Sequence, residues 1–184
     1  MADHTTNALQ AAVRSLDDVI FDAVDPNHPL AREQTRLVSK YLKLLHSRLE
    51  YAHDRNRFEL SHYTDLAGDL LADARTLSPA IAAALDSAVE EGRRLRNLAG
   101  ARSPDLQAAA QRLAAIVTAL IRTAAGAAPA LRQRVEDAVL LASKSLLDAQ
   151  RAWFLPQGWE PDPSVVPPIE GAFALPARPK PRAT

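Results

Sequence analysis

The chain has 184 residues, no cysteine, and 22 basic against 22 acidic side chains. That length suits one domain with its own core, and the missing cysteines exclude a disulfide framework, a thiolate zinc site and a cysteine nucleophile. Balanced charge removes the cationic excess on which nucleic-acid affinity rests, and no apolar run approaches the roughly 18 residues of a membrane span.

The N-terminal stretch mixes Asp3, His4 and Arg14 with short polar residues and lacks the apolar centre of a secretory signal. The expected setting is therefore cytoplasmic, with no nucleic-acid and no membrane partner. Alanine (36 residues) and leucine (26) make up a third of the chain, against 15 valines and isoleucines together. Alanine and leucine favour helix and β-branched residues favour strand, so an all-α fold is expected.

Proline placement parses the helices. Pro29, Pro79, Pro104 and Pro129 each open an apolar-periodic segment, as suits the first helical turn, where a missing N–H has no intrahelical acceptor. Ser78 and Ser103 precede two of them as N-cap candidates. Gly100 and Gly126 follow two segment ends, where a left-handed residue is expected. The first helix is predicted over about 6–24, with Leu9, Val13, Leu16 and Ile20 on one face. The run from Asp25 to Arg32 reads as a linker into the second. The third spans about 79–98, the fourth about 104–125 and the fifth about 129–154. Leu106, Ala110, Leu113, Val117, Leu120, Ile121 and Ala124 share a face of the fourth. Leu131, Val135, Val139, Ala142, Leu146 and Trp153 do so in the fifth.

The second helix is the distinctive one. At 100° per residue, Val38, Tyr41, Leu42, Leu45, Leu49 and Ala52 fall in the same sector as Leu60, Tyr63, Leu66, Ala67, Leu70, Leu71 and Ala74. The stripe keeps its phase through the polar stretch His53–Arg57, which predicts one continuous, very long helix over 29–77. Its neighbours are about half as long, so part of the stripe needs another cover, and an uncovered stripe marks an interface.

From Pro156 the chain is too proline-rich for regular helix or a central strand and reads as extended. Trp159, Val165, Val166, Ile169, Phe173 and Leu175 interrupt the prolines, so its first half is expected to lie against the bundle or a partner. Trp153, Phe154 and Trp159 are the expected anchor. Pro176-x-x-Pro179 with flanking arginines has a superficial likeness to a groove-binding proline motif. The expected division is a helical bundle over 1–155 and a tail over 156–184.

Chemistry is sparse. Glu50-x-x-His53 and Glu59-x-x-His62 have the carboxylate–histidine spacing of bundle metal sites. Nine residues separate them by about 180° on one helix, so Glu50, His53, Glu59 and His62 could share an ion only across a dimer. Arg48, Arg55, Asn56 and Glu59 fall inside the apolar stripe. Arg55 and Glu59 are four apart, within ion-pair reach. The four form either a polar layer that sets register or contacts for a small anionic ligand. Ser61 and His62 are adjacent and point about 100° apart, which does not make a nucleophile and base. The surroundings of His46 and His62 do not match phosphotransfer motifs. No catalytic residue and no cofactor is expected. The reading is a five-helix, non-enzymatic interaction protein, either a homo-oligomer or an accessory subunit bound to a protein partner. A small-anion binder and a ferritin-like metal site across a dimer are the alternatives.

Overall fold

A computed structural model describes residues 4–174; the proline motif at 176–179 and Leu175 lie outside them. The described residues are helical with no strand, and none of their helices is long and apolar enough to cross a membrane. In order they are α1 (His4–Ser15), a π-helical turn (Leu16–Ile20), α2 (Phe21–Ala23), α3 (Pro29–Arg48), α4 (Ala52–Asp69), α5 (Leu71–Leu77), α6 (Pro79–Asn97), α7 (Ser103–Ala124), α8 (Pro129–Phe154) and the single turn α9 (Ile169–Ala172). They group into two compact units. Unit 1 holds residues 4–52 and 153–166, and unit 2 holds residues 53–152 and 167–174.

Unit 1 is built on the α1–α3 hairpin. Asp25 closes the turn by accepting from Asn27 N (2.8 Å), and His28 Nδ1 caps α3 by accepting from Ala31 N (3.4 Å) ahead of Pro29. Phe21 lies under the guanidinium groups of Arg32 and Arg36, 4.1 and 4.7 Å from its ring centre. Such cation–π contacts hold α2 to α3 without a deep core. Asp17 accepts from Ser39 Oγ (2.5 Å) and pairs with Lys43 Nζ (2.7 Å). The predicted face of the first helix is only partly kept. Leu9, Val13 and Leu16 are half-buried, but Ile20 is exposed. The π-helical turn inserts an extra residue and rotates the face, so Phe21 and Val24 become half-buried instead.

The long second helix is interrupted. At 49–51 the bonding tightens, with Tyr51 N donating to Arg48 O (3.1 Å) and Ala52 N to Leu49 O (3.4 Å). This frees the Ser47 carbonyl, which would otherwise accept from Tyr51, and Arg48 Nη1 donates to it (3.3 Å). A second, milder irregularity falls at Leu70, two residues after the weak helix former Gly68. Leu70 opens to ψ −6° while keeping its bonds to Leu66 and Ala74. The predicted 29–77 helix is thus α3, α4 and α5, and phase alone could not reveal the breaks because Leu49 (φ −58°, ψ −44°) and Leu70 (φ −84°, ψ −6°) stay in the right-handed helical region.

Unit 2 carries the apolar core. Leu60, Leu70, Leu85, Leu106, Leu113, Leu120 and Val135 are fully buried, and Val139 and Ala142 of α8 pack against that cluster. The faces predicted for the fourth and fifth helices are the ones used. α4 and α6 approach closely because Gly92 has no side chain: a Cβ there would overlap Thr64 Oγ1. That hydroxyl already donates to Leu60 O (2.6 Å). Arg96 ties α6 to Asp65 (2.7 Å), and Arg134 ties α8 to Asp73 (2.7 Å).

Several local expectations are corrected. Ser78 caps α6 as expected, accepting from Ile81 N (3.4 Å), but Ser103 is the first residue of α7 and its hydroxyl meets His53 Nδ1 (3.0 Å). Gly100 and Gly126 are not left-handed. Gly158 (φ 71°) is the one positive-φ residue among those described. α7 ends instead in tight turns, with Gly126 N donating to Thr123 O, which satisfies terminal carbonyls without a left-handed cap. The segment after Pro156 is not uniformly extended, for it forms 3₁₀ turns at Leu155–Gln157 and Pro163–Val165 as well as α9. Pro156 and Pro163 sit in the first positions of the two 3₁₀ turns and Pro168 precedes α9, all places that a proline tolerates.

Candidate functional site

The residues singled out by sequence fall into different roles. Arg48 is buried (8% exposed) in unit 1, where its Nε donates to Trp153 O (2.9 Å). Nearby, Lys40 Nζ donates to Gln157 O (2.7 Å). These two cations hold the end of α8 and the following 3₁₀ turn against α3 by gripping backbone carbonyls. Gly158 then reverses the chain, and Trp159 stacks on Phe154 with ring centres 6.1 Å apart. The aromatic anchor expected at Trp153, Phe154 and Trp159 therefore has a polar half that sequence did not single out, Lys40 with Gln157. Carbonyl acceptors leave no side-chain signature.

Arg55 and Glu59, in unit 2, form the ion pair their spacing allows (2.8 Å), half-buried. Asn56 is half-buried beside them in sequence. The quartet proposed for a small anion thus divides between the units, and Arg48 already donates to two carbonyls. The proposed metal set divides likewise. Glu50 is exposed in the 49–51 turn of unit 1, while His53 meets Ser103, and His62 lies between Phe58 (6.3 Å) and Tyr63 (5.1 Å). Among the described residues no three His, Asp or Glu side chains converge as a metal site. His46 Nε2 is buried without a hydrogen-bond partner.

Two surfaces stand out. The first is an apolar seam on α3: Val38 (47% exposed), Tyr41 (50%), Leu45 (54%) and Leu49 (38%). The lower part of the seam opens into a groove of about 210 Å3 lined by Leu9, Leu45, Leu49, Ala52 and Trp153, with Arg48 at its side. On one flank Ser39 and Lys43 hold Asp17; on the other Lys40 and Arg48 hold the 153–157 segment. The seam between is left open. Its spacing of three and four residues is that of a helix-pairing face.

The second is a cavity of about 390 Å3 in unit 2, on the face of α4 that carries Phe58, His62 and Leu66. Ala142 and Ser145 of α8 wall its other side, and Ala174 marks its edge. The polar lining is Ser61, Asp65 and Asp69. Arg96 engages Asp65 (2.7 Å) and touches Ser61 Oγ (3.4 Å), whereas Asp69 makes no hydrogen bond or ion pair with a described residue. Burial holds the His62 imidazole below its ordinary 6.5, against the opposing pull of Asp65 and Glu59. Burial likewise pushes the Tyr63 phenol up, with Glu59 adding to it.

The chain is an all-α protein of two compact units, one with a leucine-rich core and one with an open apolar seam. No protein-family model, no curated protein and no solved structure matches it.

Proposed function

We propose that this is a non-enzymatic interaction protein that associates through the α3 seam of unit 1 with an apolar helical face, a second copy of the chain being the partner. The observation that carries the reading is an imbalance of burial. Unit 1 buries only Leu44 and Val166 among its apolar side chains, yet it exposes Val19, Ile20, Leu30, Val38, Tyr41, Leu45, Leu49, Phe154, Trp159 and Val165. Unit 2 fully buries six leucines, each worth about 1.5–3 kcal/mol, and unit 1 fully buries none. A contiguous exposed apolar face on a small structure is where partners bind. The seam runs from Val38 to Leu49, about 17 Å of helix, enough for a two-helix contact of about three turns. A cytoplasmic setting belongs to the same proposal, which the absence of cysteine accommodates.

Sedimentation equilibrium of the full chain tests it. The expected mass is twice 19.9 kDa at about 100 µM, falling to the single-chain value in Leu45→Glu, whose exposed side chain allows the variant to fold. A wild type that stays monomeric would remove self-association and favour the accessory-subunit form. In that form native mass spectrometry of tagged protein from its own cells should show the added mass of another polypeptide, again lost in Leu45→Glu.

A further inference from the structure

The α4 cavity of unit 2 has a chemical bias that the seam does not. Its polar groups accept hydrogen bonds: the carboxylates of Asp65 and Asp69, and the hydroxyls of Ser61 and Ser145 that can act either way. Neither nitrogen of His62 is taken by a described residue, and a neutral imidazole offers one further acceptor. No lysine or arginine is among the described residues that line the cavity, and the nearest cation in the hydrogen-bond network, Arg96, is held by Asp65. That leaves Asp69 as a carboxylate without a partner cation. The remaining walls are flat and apolar, Phe58 stacked on His62 at an interplanar angle of 24°, with Leu66 and Ala142.

We propose that this cavity binds a small organic cation, a primary ammonium on a flat apolar body. The body lies against Phe58, His62 and Leu66, and the ammonium donates to Asp69. The volume is at the lower end of the range for ligand sites, about 300–1,000 Å3, and a compound near the size of phenethylamine fits. Aromatic faces attract organic cations, and a charge-assisted hydrogen bond to a carboxylate fixes the head group. The chemistry is the reverse of the small-anion binding suggested by Arg48 and Arg55. It is also independent of the α3 seam, which lies in the other unit.

The test is an NMR titration of the 15N-labelled full chain with phenethylammonium, alongside phenylacetate and phenethyl alcohol as anionic and neutral analogues. The expected result is saturable shifts confined to amides near Phe58–Asp69 and Ala142–Ser145 with phenethylammonium alone. Asp69→Asn should weaken binding by roughly tenfold, and Ser145→Leu, which fills the cavity from an exposed position, should abolish it. Glu33→Gln, a charge-matched change on α3, should leave it unaltered. Three results would overturn the proposal: no saturable shift, equal shifts from the anion or the alcohol, or an Asp69→Asn variant that binds as tightly as the wild type.

Discussion

At the scale of single residues, contacts that look minor in sequence hold the helices together. Gly92 is an ordinary mid-helix glycine until its distance from Thr64 is known. Gly92→Ala should destabilise the protein by about 1–3 kcal/mol through overpacking, although alanine is the better helix former. Urea denaturation checks the sign, and adding Thr64→Ala should recover part of the loss because the colliding hydroxyl is gone. Asp17 is a second case. Hydrogen bonds from Lys43 and Ser39 hold its carboxyl below the ordinary 3.8. A carboxylate with a depressed folded-state pKa stabilises the fold above its unfolded pKa, and that contribution is lost as pH falls through the folded value. The melting temperatures of wild type and Asp17→Asn should therefore differ by a constant amount above about pH 4 and converge below it. The difference is small because the pair is exposed.

At the scale of elements, the same periodicity meets two fates. Leu60, Leu66, Ala67, Leu70 and Ala74 continue the phase of Val38, Tyr41, Leu45 and Leu49, but only the first group is buried. A helical wheel reports which residues share a face, never whether a neighbour covers it. The break at 49–51 shows a second limit. No proline or glycine marks it, and the Arg48 guanidinium that takes the released Ser47 carbonyl also reaches Trp153 O, a residue about a hundred positions away. Arg48→Met keeps the bulk and removes the donors. Leaving carbonyls unsatisfied costs about 1–3 kcal/mol, so the variant should melt earlier, with a changed Trp153 emission as the 153–157 segment loosens.

At the scale of the molecule, stability should be unevenly distributed. Unit 2 concentrates the fully buried leucines, and unit 1 is held by surface ion pairs, cation–π contacts and two backbone-gripping cations. Amides of α6 and α7 should show hydrogen-exchange protection approaching the global stability, and those of α1 and α3 should exchange through smaller openings. Under the association proposed for the seam, α3 protection rises with protein concentration and α7 protection does not. Concentration-independent exchange in α3 would count against a second copy as partner.

The helical class, the starts of α3, α6 and α8, and the buried faces of α7 and α8 followed from sequence. Proline position, alanine and leucine content and a 3.6-residue period are local properties that a helix expresses wherever it lies. The π-helical turn, the breaks at 49–51 and Leu70, the open α3 seam and the α4 cavity were decided by tertiary structure. Each depends on a partner remote in sequence or on the lack of one: Asp17 on Ser39 and Lys43, Arg48 on Trp153, His62 on a wall from α8, and Leu45 on a neighbour that unit 1 does not supply. Of the candidates assigned by spacing, Arg55 and Glu59 form the ion pair that four residues on one helix allow, while Arg48 finds its acceptors at Ser47 and at Trp153, remote in sequence. Residues that share a phase along one helix are still separated by length, and only the fold determines which of them meet.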